Sequence, residues 1–172
     1  MRLFTALCFD DEVKKALFSV ENSAKEKAEG NFTNPENLHL TLVYIGETER
    51  FEEIKSALDE TEFPDFDYEI EGTGTFEKGI FWAGVKENEK LRSLQKIISE
   101  KLRKLGFELD EREFVPHITL AKKFRPEEDF DSSEIEKLLP ENSIKAGRIC
   151  LMESKRTDGV LRYTEIYSRN LS

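Results

Sequence analysis

A four-residue pattern, His-x-Thr-Leu, occurs twice in the sequence and contains the only two histidines among the 172 residues. The copies are His39-Leu40-Thr41-Leu42 and His117-Ile118-Thr119-Leu120. An apolar run begins 36 or 37 residues before each histidine, at Leu3 in the first half and at Ile80 in the second, and a helix-like segment follows each run. This spacing indicates an internal duplication of one β-α-β unit, which constrains the fold more than any other feature.

Strands and helices are predicted from alternating apolar residues and from apolar residues at helical spacing, respectively. The predicted strands are Met1–Phe9, Leu38–Ile45, Phe66–Phe76, Ile80–Val85, Phe107–Leu109, His117–Lys122, Ile144–Ser154 and Arg162–Arg169. The first predicted helix begins after Asp10 or Asp11. Three others are predicted over about Glu49–Glu60, Glu89–Leu105 and Ser132–Leu139. A loop containing Gly30, Asn34 and Pro35 is predicted before the first histidine.

The duplication predicts an α+β fold of two similar β-α-β lobes related by a pseudo-two-fold axis. We expect antiparallel sheets to line a central groove with the helices outside. The chain length suits one core, so residues 1–172 are predicted to form a single bilobal domain.

The chemistry follows from the spacing within each motif. Residues i and i+2 of a strand share a face, so His39 and Thr41 point one way, and His117 and Thr119 do the same in the second copy. Two imidazoles and two hydroxyls would then meet in the groove. Displacement at a phosphodiester needs a base for water, an acid for the leaving oxygen, and donors to the non-bridging oxygens. This scheme requires no metal and no cofactor, and the residues alone do not say which histidine is the acid.

The charge balance restricts the possible partners. Lys and Arg number 26 against 36 Asp and Glu, which gives a net charge of −10 and argues against a protein that coats nucleic acid. The basic residues near the second motif and in the last two strands are expected to form a basic rim that attracts an RNA end. They are Lys122, Lys123, Arg125, Lys155, Arg156 and Arg162.

Two cysteines without CxxC spacing exclude a disulfide framework and a zinc ribbon, and favour a reducing cytoplasm. Cys8 and Cys150 are predicted to be buried small hydrophobic residues. No signal peptide or membrane span is predicted. We expect a cytoplasmic monomer that does not contact membranes.

At these residues the sequence resembles the 2H phosphoesterases, most closely the RNA 2',3'-cyclic phosphodiesterases, also called LigT-like or 2'-5' RNA ligases. Besides the paired motifs, the resemblance includes Arg2–Ala6, Asn37–Leu42 with Gly46, Phe81–Val85, Pro116–Ala121 and Gly159–Ile166. The resemblance implies hydrolysis of 2',3'-cyclic phosphate ends of RNA, or of small cyclic nucleotides, to 2'-phosphates, with weak reverse ligation. It also implies that His39 is the proton donor and His117 the proton acceptor. Many relatives have Arg at the position of Lys122. The lysine would contact phosphate as a point charge, whereas arginine would make a bidentate contact.

Other interpretations of these residues remain. Tyr44 could stack on a base of the substrate, but strand alternation places it with Leu40 and Leu42 in the core. Lys122 could contact phosphate or only solvate the end of its strand. The histidines could bind a metal ion together with Asp10 or Glu113. The strongest alternative is a non-catalytic module that binds nucleotides or RNA ends.

Overall fold

The computed structural model describes all residues, Met1–Ser172. Its strands are β1 (Arg2–Cys8), β2 (Ala28–Phe32), β3 (His39–Glu47), β4 (Phe66–Tyr68), β5 (Ile70–Phe76), β6 (Ile80–Val85), β7 (His117–Pro126), β8 (Ile144–Ala146), β9 (Arg148–Thr157) and β10 (Val160–Asn170). Its helices are α1 (Asp11–Lys25), α2 (Phe51–Asp59), α3 (Glu89–Lys104) and α4 (Ser132–Glu136), with a 3-10 turn at Pro35–Asn37.

Two four-stranded antiparallel sheets form the two lobes, with the orders β10-β9-β1-β3 and β2-β7-β6-β5. Each half of the chain supplies an antiparallel pair, β1 with β3 and β6 with β7, and each histidine is the first residue of its strand. Strand β2 leaves the first half and pairs with β7, whereas β9 and β10 complete the first sheet. The predicted α+β fold with two similar antiparallel lobes is confirmed.

The two long helices begin at side-chain caps. Asp10 accepts a hydrogen bond from the main-chain N–H of Val13 at 2.9 Å, and Asn88 accepts one from Leu91 at 3.0 Å. Helix α3 is followed by Gly106 at φ +91°, where a residue with a side chain would be strained. The apolar faces of both helices pack with the sheets into one core of 33 buried residues, so the lobes share a core.

Two predicted elements are wrong. The segment around Gly30 is strand β2 instead of a loop, because it pairs with β7 of the other lobe, a long-range contact that local composition does not reveal. A side chain at Gly30 would put its Cβ 3.2 Å from the carbonyl oxygen of Lys122, so glycine allows this close approach. Phe107–Leu109 forms no strand, and its first N–H bonds instead to the carbonyl of Leu102 in the last turn of α3.

The bounds of other elements also differ from the prediction. The strand predicted over Phe66–Phe76 is divided at Glu69 into β4 and β5, which pair with β8 and β6 respectively. The helix predicted to reach Leu139 ends at Glu136. None of the helices is both long enough and apolar enough to span a membrane.

Candidate active site

A cavity of about 590 Å³ lies between the two sheets and is called the groove here. Its lining comes from both lobes, because β3 brings His39, Thr41 and Tyr44 while β7 brings Thr119 and Lys122. Other residues lining the groove include Phe4, Asn31, Phe32, Asn34, Asn37, Ser154, Arg156, Leu161 and Tyr163. Three of the four His and Thr side chains predicted to meet therefore line one cavity.

The ring of His39 is held in one orientation. Its Nδ1 lies 2.7 Å from the carbonyl oxygen of Asn37, and because a carbonyl only accepts, Nδ1 carries a hydrogen and donates it. Its Nε2 lies 2.8 Å from the hydroxyl oxygen of Thr41. Phe4 and Tyr163 pack against the ring, with centroids at 4.8 and 5.1 Å. The nitrogen available for proton transfer is therefore Nε2.

His117 repeats this arrangement in the second lobe. Its Nδ1 donates to the carbonyl oxygen of Val115, also two residues earlier, at 2.8 Å, and its ring packs edge-on against Phe76 at 4.9 Å. The pseudo-two-fold thus extends to the tautomer of both imidazoles. His117 itself is not part of the groove lining, which receives Thr119 and Lys122 from the same strand.

The pKa of His39 is lowered from its ordinary value, mainly because burial disfavours the charged imidazolium. The hydrogen bond to the carbonyl of Asn37 opposes this effect, and the positive charges of His117 and Lys122 add to it. His117 is therefore close enough to His39 for their charges to interact. An anion bound in the groove would counteract the effect of both cations.

Asn37 is a residue of this site that the sequence analysis missed. Its side-chain Nδ2 donates to the carbonyl oxygen of Leu161 at 2.8 Å, and its Oδ1 accepts from the main-chain N–H of Tyr163 at 3.1 Å. One residue thus attaches β10 to the segment that bonds His39. No spacing signal could have revealed it, since its partners lie more than 120 residues away in the sequence.

The prediction that Tyr44 packs in the core is wrong, because its side chain is 54% exposed and lines the groove. The cause is a bulge in β3. Ala6 pairs with Thr41 and Thr5 with Val43, which leaves Leu42 as an extra residue and inverts the alternation beyond it. The hydroxyl of Thr5 accepts a hydrogen bond from the N–H of Val43 at 3.1 Å within this bulge.

The basic rim is only partly formed. Lys122 and Arg156 line the groove. Arg125 instead forms an ion pair with Glu29 at 3.2 Å, and Arg162 lies 3.9 Å from Glu36. Two of the six expected cations therefore face the space between the lobes, which limits the anionic groups that the groove can neutralise.

The groove contains no carboxylate that could complete a two-histidine metal site. Asp10 caps α1, and neither Asp10 nor Glu113 lines the groove. The one group of three potential metal-ligating side chains consists of Cys8, Cys150 and Glu165, and it includes neither histidine. The residues that line the groove therefore offer no carboxylate ligand to a metal ion bound by the histidines.

Comparison with known proteins gives consistent results. Residues 10–158 match the family model of the 2'-5' RNA ligase superfamily. The chain is 35% identical to an RNA 2',3'-cyclic phosphodiesterase of Archaeoglobus fulgidus, over 71% of this chain and 72% of that protein. It is 34% identical to an RNA 2',3'-cyclic phosphodiesterase of Thermotoga maritima, over 79% of this chain and 81% of that protein. Its fold is similar to that of E. coli LigT, with a TM-score of 0.85 and 22% identity over 99% of this chain and 97% of LigT, a protein also crystallised with 3'-AMP.

Proposed function

The chain belongs to the 2'-5' RNA ligase superfamily, the 2H phosphoesterases, and we propose that it hydrolyses the 2',3'-cyclic phosphate at RNA ends to a 2'-phosphate. The observation that carries this proposal is the groove in which His39, Thr41, Thr119 and Lys122 meet. Relatives that are 34 and 35% identical bear the name of this activity. The class of enzyme is a hydrolase of phosphodiester bonds.

In the proposed reaction, His117 takes a proton from water and the water oxygen attacks phosphorus. His39 gives the proton on its Nε2 to the leaving O3', so the bond between phosphorus and O3' breaks and a 3'-hydroxyl forms. The phosphate stays on O2'. The assignment of donor and acceptor comes from the family resemblance, and the matching tautomers of the two imidazoles are compatible with either order.

The other groove residues stabilise charge. The hydroxyls of Thr41 and Thr119 donate to the non-bridging oxygens, on which negative charge is stabilised in the transition state. The ammonium group of Lys122 neutralises the phosphate as a point charge. Neither contact requires a metal ion, and the reaction needs no cofactor.

Because the pKa of His39 is lowered in the free protein, substrate binding is proposed to promote the protonation of this acid. A proton donor must be protonated before it acts, and burial together with the nearby ammonium group of Lys122 disfavours that state. A bound phosphodiester anion favours the imidazolium and raises the pKa of His39. The proton is therefore held most firmly when substrate is present.

Substrate specificity is proposed to come from the wall of the groove. Tyr44 offers an exposed ring on which a terminal base can stack. The net charge of −10 repels the rest of a long strand, so RNA ends and small cyclic nucleotides are the expected substrates. The 3'-AMP complex of E. coli LigT supports nucleotide binding in this fold.

We further propose that residues 1–172 act as one bilobal unit, because the core is shared and β2 crosses between the lobes. Location in the cytoplasm and a monomeric state remain predictions from the sequence.

The test is turnover of a short RNA ending in a 2',3'-cyclic phosphate, with EDTA present. His39→Ala and His117→Ala should each lower kcat by about 10²- to 10⁴-fold, and the double variant should lose little more, because acid and base act in one step. Lys123→Gln, an exposed change beside Lys122 but outside the groove lining, is the matched control. The product should carry its phosphate on O2'.

Two results would contradict the proposal. Binding of the cyclic end without turnover by the wild type would identify a recognition module for RNA ends. Turnover that survives either histidine substitution, or that EDTA abolishes, would exclude the two-histidine mechanism. Incubation of the 2'-phosphate or cyclic product with a 5'-hydroxyl RNA measures the reverse ligation, which uses the same side chains.

A further inference from the structure

Three sulfur atoms and a carboxylate cluster on the groove-facing side of the first sheet, away from the groove lining. The ligand atoms of Cys8 (β1), Cys150 (β9) and Glu165 (β10) all lie within 4.8 Å of one another. The Sγ of Cys8 is also 3.8 Å from the Sδ of Met152 on β9. These four residues are called the sulfur cluster here, and they include both cysteines of the chain and one of its two methionines.

The strand register explains why they meet. Ala6 pairs with Cys150 and Phe4 with Met152, while Met152 pairs with Glu165 on the other side of β9. Alternate residues of neighbouring strands project to one face, so the side chains from three strands converge there, beside a register shift between Glu165 and Tyr167 in β10. The convergence is thus built on rigid sheet rather than on loops.

The distances fit a metal ion bound through sulfur. Two sulfurs that each lie about 2.3 Å from one ion at the tetrahedral angle are about 3.8 Å apart. The distance between the Sγ of Cys8 and the Sδ of Met152 has that value. The ligand atoms of Cys8, Cys150 and Glu165 lie at most 4.8 Å apart, so they would need to move by roughly 1 Å or less to reach it. A disulfide would require the two Sγ atoms to approach to about 2.05 Å and would leave the thioether and carboxylate unused.

We propose that Cys8, Cys150, Met152 and Glu165 form a binding site for a soft d10 metal ion, of which Cu(I) fits the donors best. Thiolate and thioether ligands select soft ions, and thioether sulfur in particular favours Cu(I) over Zn(II). Each thiol releases one proton to solvent as its sulfur binds the ion, and the ion keeps its oxidation state. Apolar packing accounts for the burial of Cys150, and an ion pair with Arg148 accounts for the position of Glu165. Neither requires two thiols and a thioether to lie together.

The sulfur cluster can be reached from solvent, and a neighbouring side chain orients its carboxylate. Cys8 is only partly buried and lines a second cavity, of about 900 Å³, between the start of α1 and residues 137–148. An ion can reach the thiols through this cavity without passing the groove. Arg148 holds one oxygen of Glu165 at 2.6 Å, which orients the carboxylate toward the sulfurs in the way that outer partners orient metal ligands.

The histidines do not offer a competing site of this kind. The Nδ1 atoms of His39 and His117 are both engaged by main-chain carbonyls, and neither ring belongs to the sulfur cluster. Copper bound through thiolates gives a charge-transfer absorption in the near ultraviolet that histidine ligands do not give. The two sites are therefore distinguishable in one experiment.

The test is anaerobic titration of the phosphine-reduced full chain with Cu(I) against a coloured Cu(I) chelator. The wild type should bind one Cu(I) per chain. Cys8→Ser should weaken binding by about 100-fold, and Met152→Leu, which preserves volume, by about 10-fold. Met152→Leu should leave Zn(II) affinity unchanged, because the thioether contributes to Cu(I) binding only.

His39→Ala with His117→Ala is the control, and it should bind Cu(I) as the wild type does. Circular dichroism of each variant shows whether it is folded, and Met152→Leu keeps the test valid if Cys8→Ser unfolds. Equal Cu(I) affinities of wild type and Cys8→Ser would overturn the proposal. One ion per two chains, or loss of binding in the double histidine variant, would overturn it as well.

Discussion

The Nδ1 of His39 donates a hydrogen bond of 2.7 Å to the carbonyl oxygen of Asn37, a residue whose own side chain is attached to β10. The orientation of the first imidazole therefore depends on a hairpin that closes the first sheet at its edge. His117 has the same bond to Val115 but no comparable attachment, since Val115 is exposed. The two halves are alike in tautomer and differ in how firmly the ring is supported.

Asn37→Ala tests this attachment. The change leaves the carbonyl of Leu161 and the N–H of Tyr163 without their partner, so we expect a loss of about 1–3 kcal/mol in unfolding free energy. We also expect kcat to fall by about 10- to 100-fold, with KM changed less, because a displaced His39 loses reactive geometry while the groove still binds phosphate. Steady-state kinetics and denaturant unfolding measure both effects.

Asn88→Ala is the matched control for Asn37→Ala. It removes the cap of α3, which is not part of the groove lining, and should cost about 1 kcal/mol in stability without lowering kcat. An unchanged kcat in folded Asn37→Ala would show that the attachment serves stability alone.

Lys122→Gln should raise the pKa of His39, because the ammonium group of Lys122 is among the charges that lower it. The chain has only two histidines, so proton NMR resolves both ring titrations, and His117→Ala assigns them. Lys123→Gln should leave the His39 titration where it is. A nucleoside 2'-phosphate should raise the pKa of His39 in the wild type, and a titration that stays in place would show that the anion binds elsewhere.

Glu21 is fully buried in α1, and neither of its carboxylate oxygens has a hydrogen-bond partner. Burial raises its pKa from 4.5 to about 8. Between these values the folded protein holds a proton that the unfolded chain releases, so the wild type should lose stability as pH rises through this range. The loss relative to Glu21→Gln should reach on the order of 5 kcal/mol at pH 8 and above, and vanish near pH 4.5.

Unfolding of the wild type and Glu21→Gln by urea at several pH values checks this dependence. Glu26→Gln is an exposed change at the end of the same helix, and its unfolding free energy should depend on pH as that of the wild type does. A difference between wild type and Glu21→Gln that is constant with pH would mean that Glu21 is ionised in the folded protein.

Thr5→Val tests the bulge that turns Tyr44 into the groove. The substitution keeps the shape of the side chain but leaves the buried N–H of Val43 without its acceptor. We expect a loss of about 1–3 kcal/mol in unfolding free energy. Thr5→Ser keeps the hydroxyl and loses only the methyl group, so it should cost less. A Thr5→Val variant as stable as the wild type would show that the hydroxyl does not stabilise the bulge.

Much of the fold follows from local patterns. The caps at Asp10 and Asn88 and the apolar spacing of α1 and α3 define the helices. Apolar runs define β1 and β6, and alternation defines the first four residues of β3. The segment around Gly30 was not predictable in this way, because its strand exists only through pairing with β7 in the other lobe. The strand predicted at Phe107–Leu109 is wrong for the opposite reason, since its residues are strand-like but it is part of no sheet.

The sequence by itself determined the paired motifs, the duplication and the sharing of one face by His39 and Thr41, because these depend on residue identity and strand period. Only the tertiary structure decided that Tyr44 faces the groove, that Asn37 supports His39, and that both cysteines meet Glu165. Each of these depends on register. A bulge of one residue inverts a face, and contacts between strands far apart in the chain arise from sheet order, which local sequence does not encode.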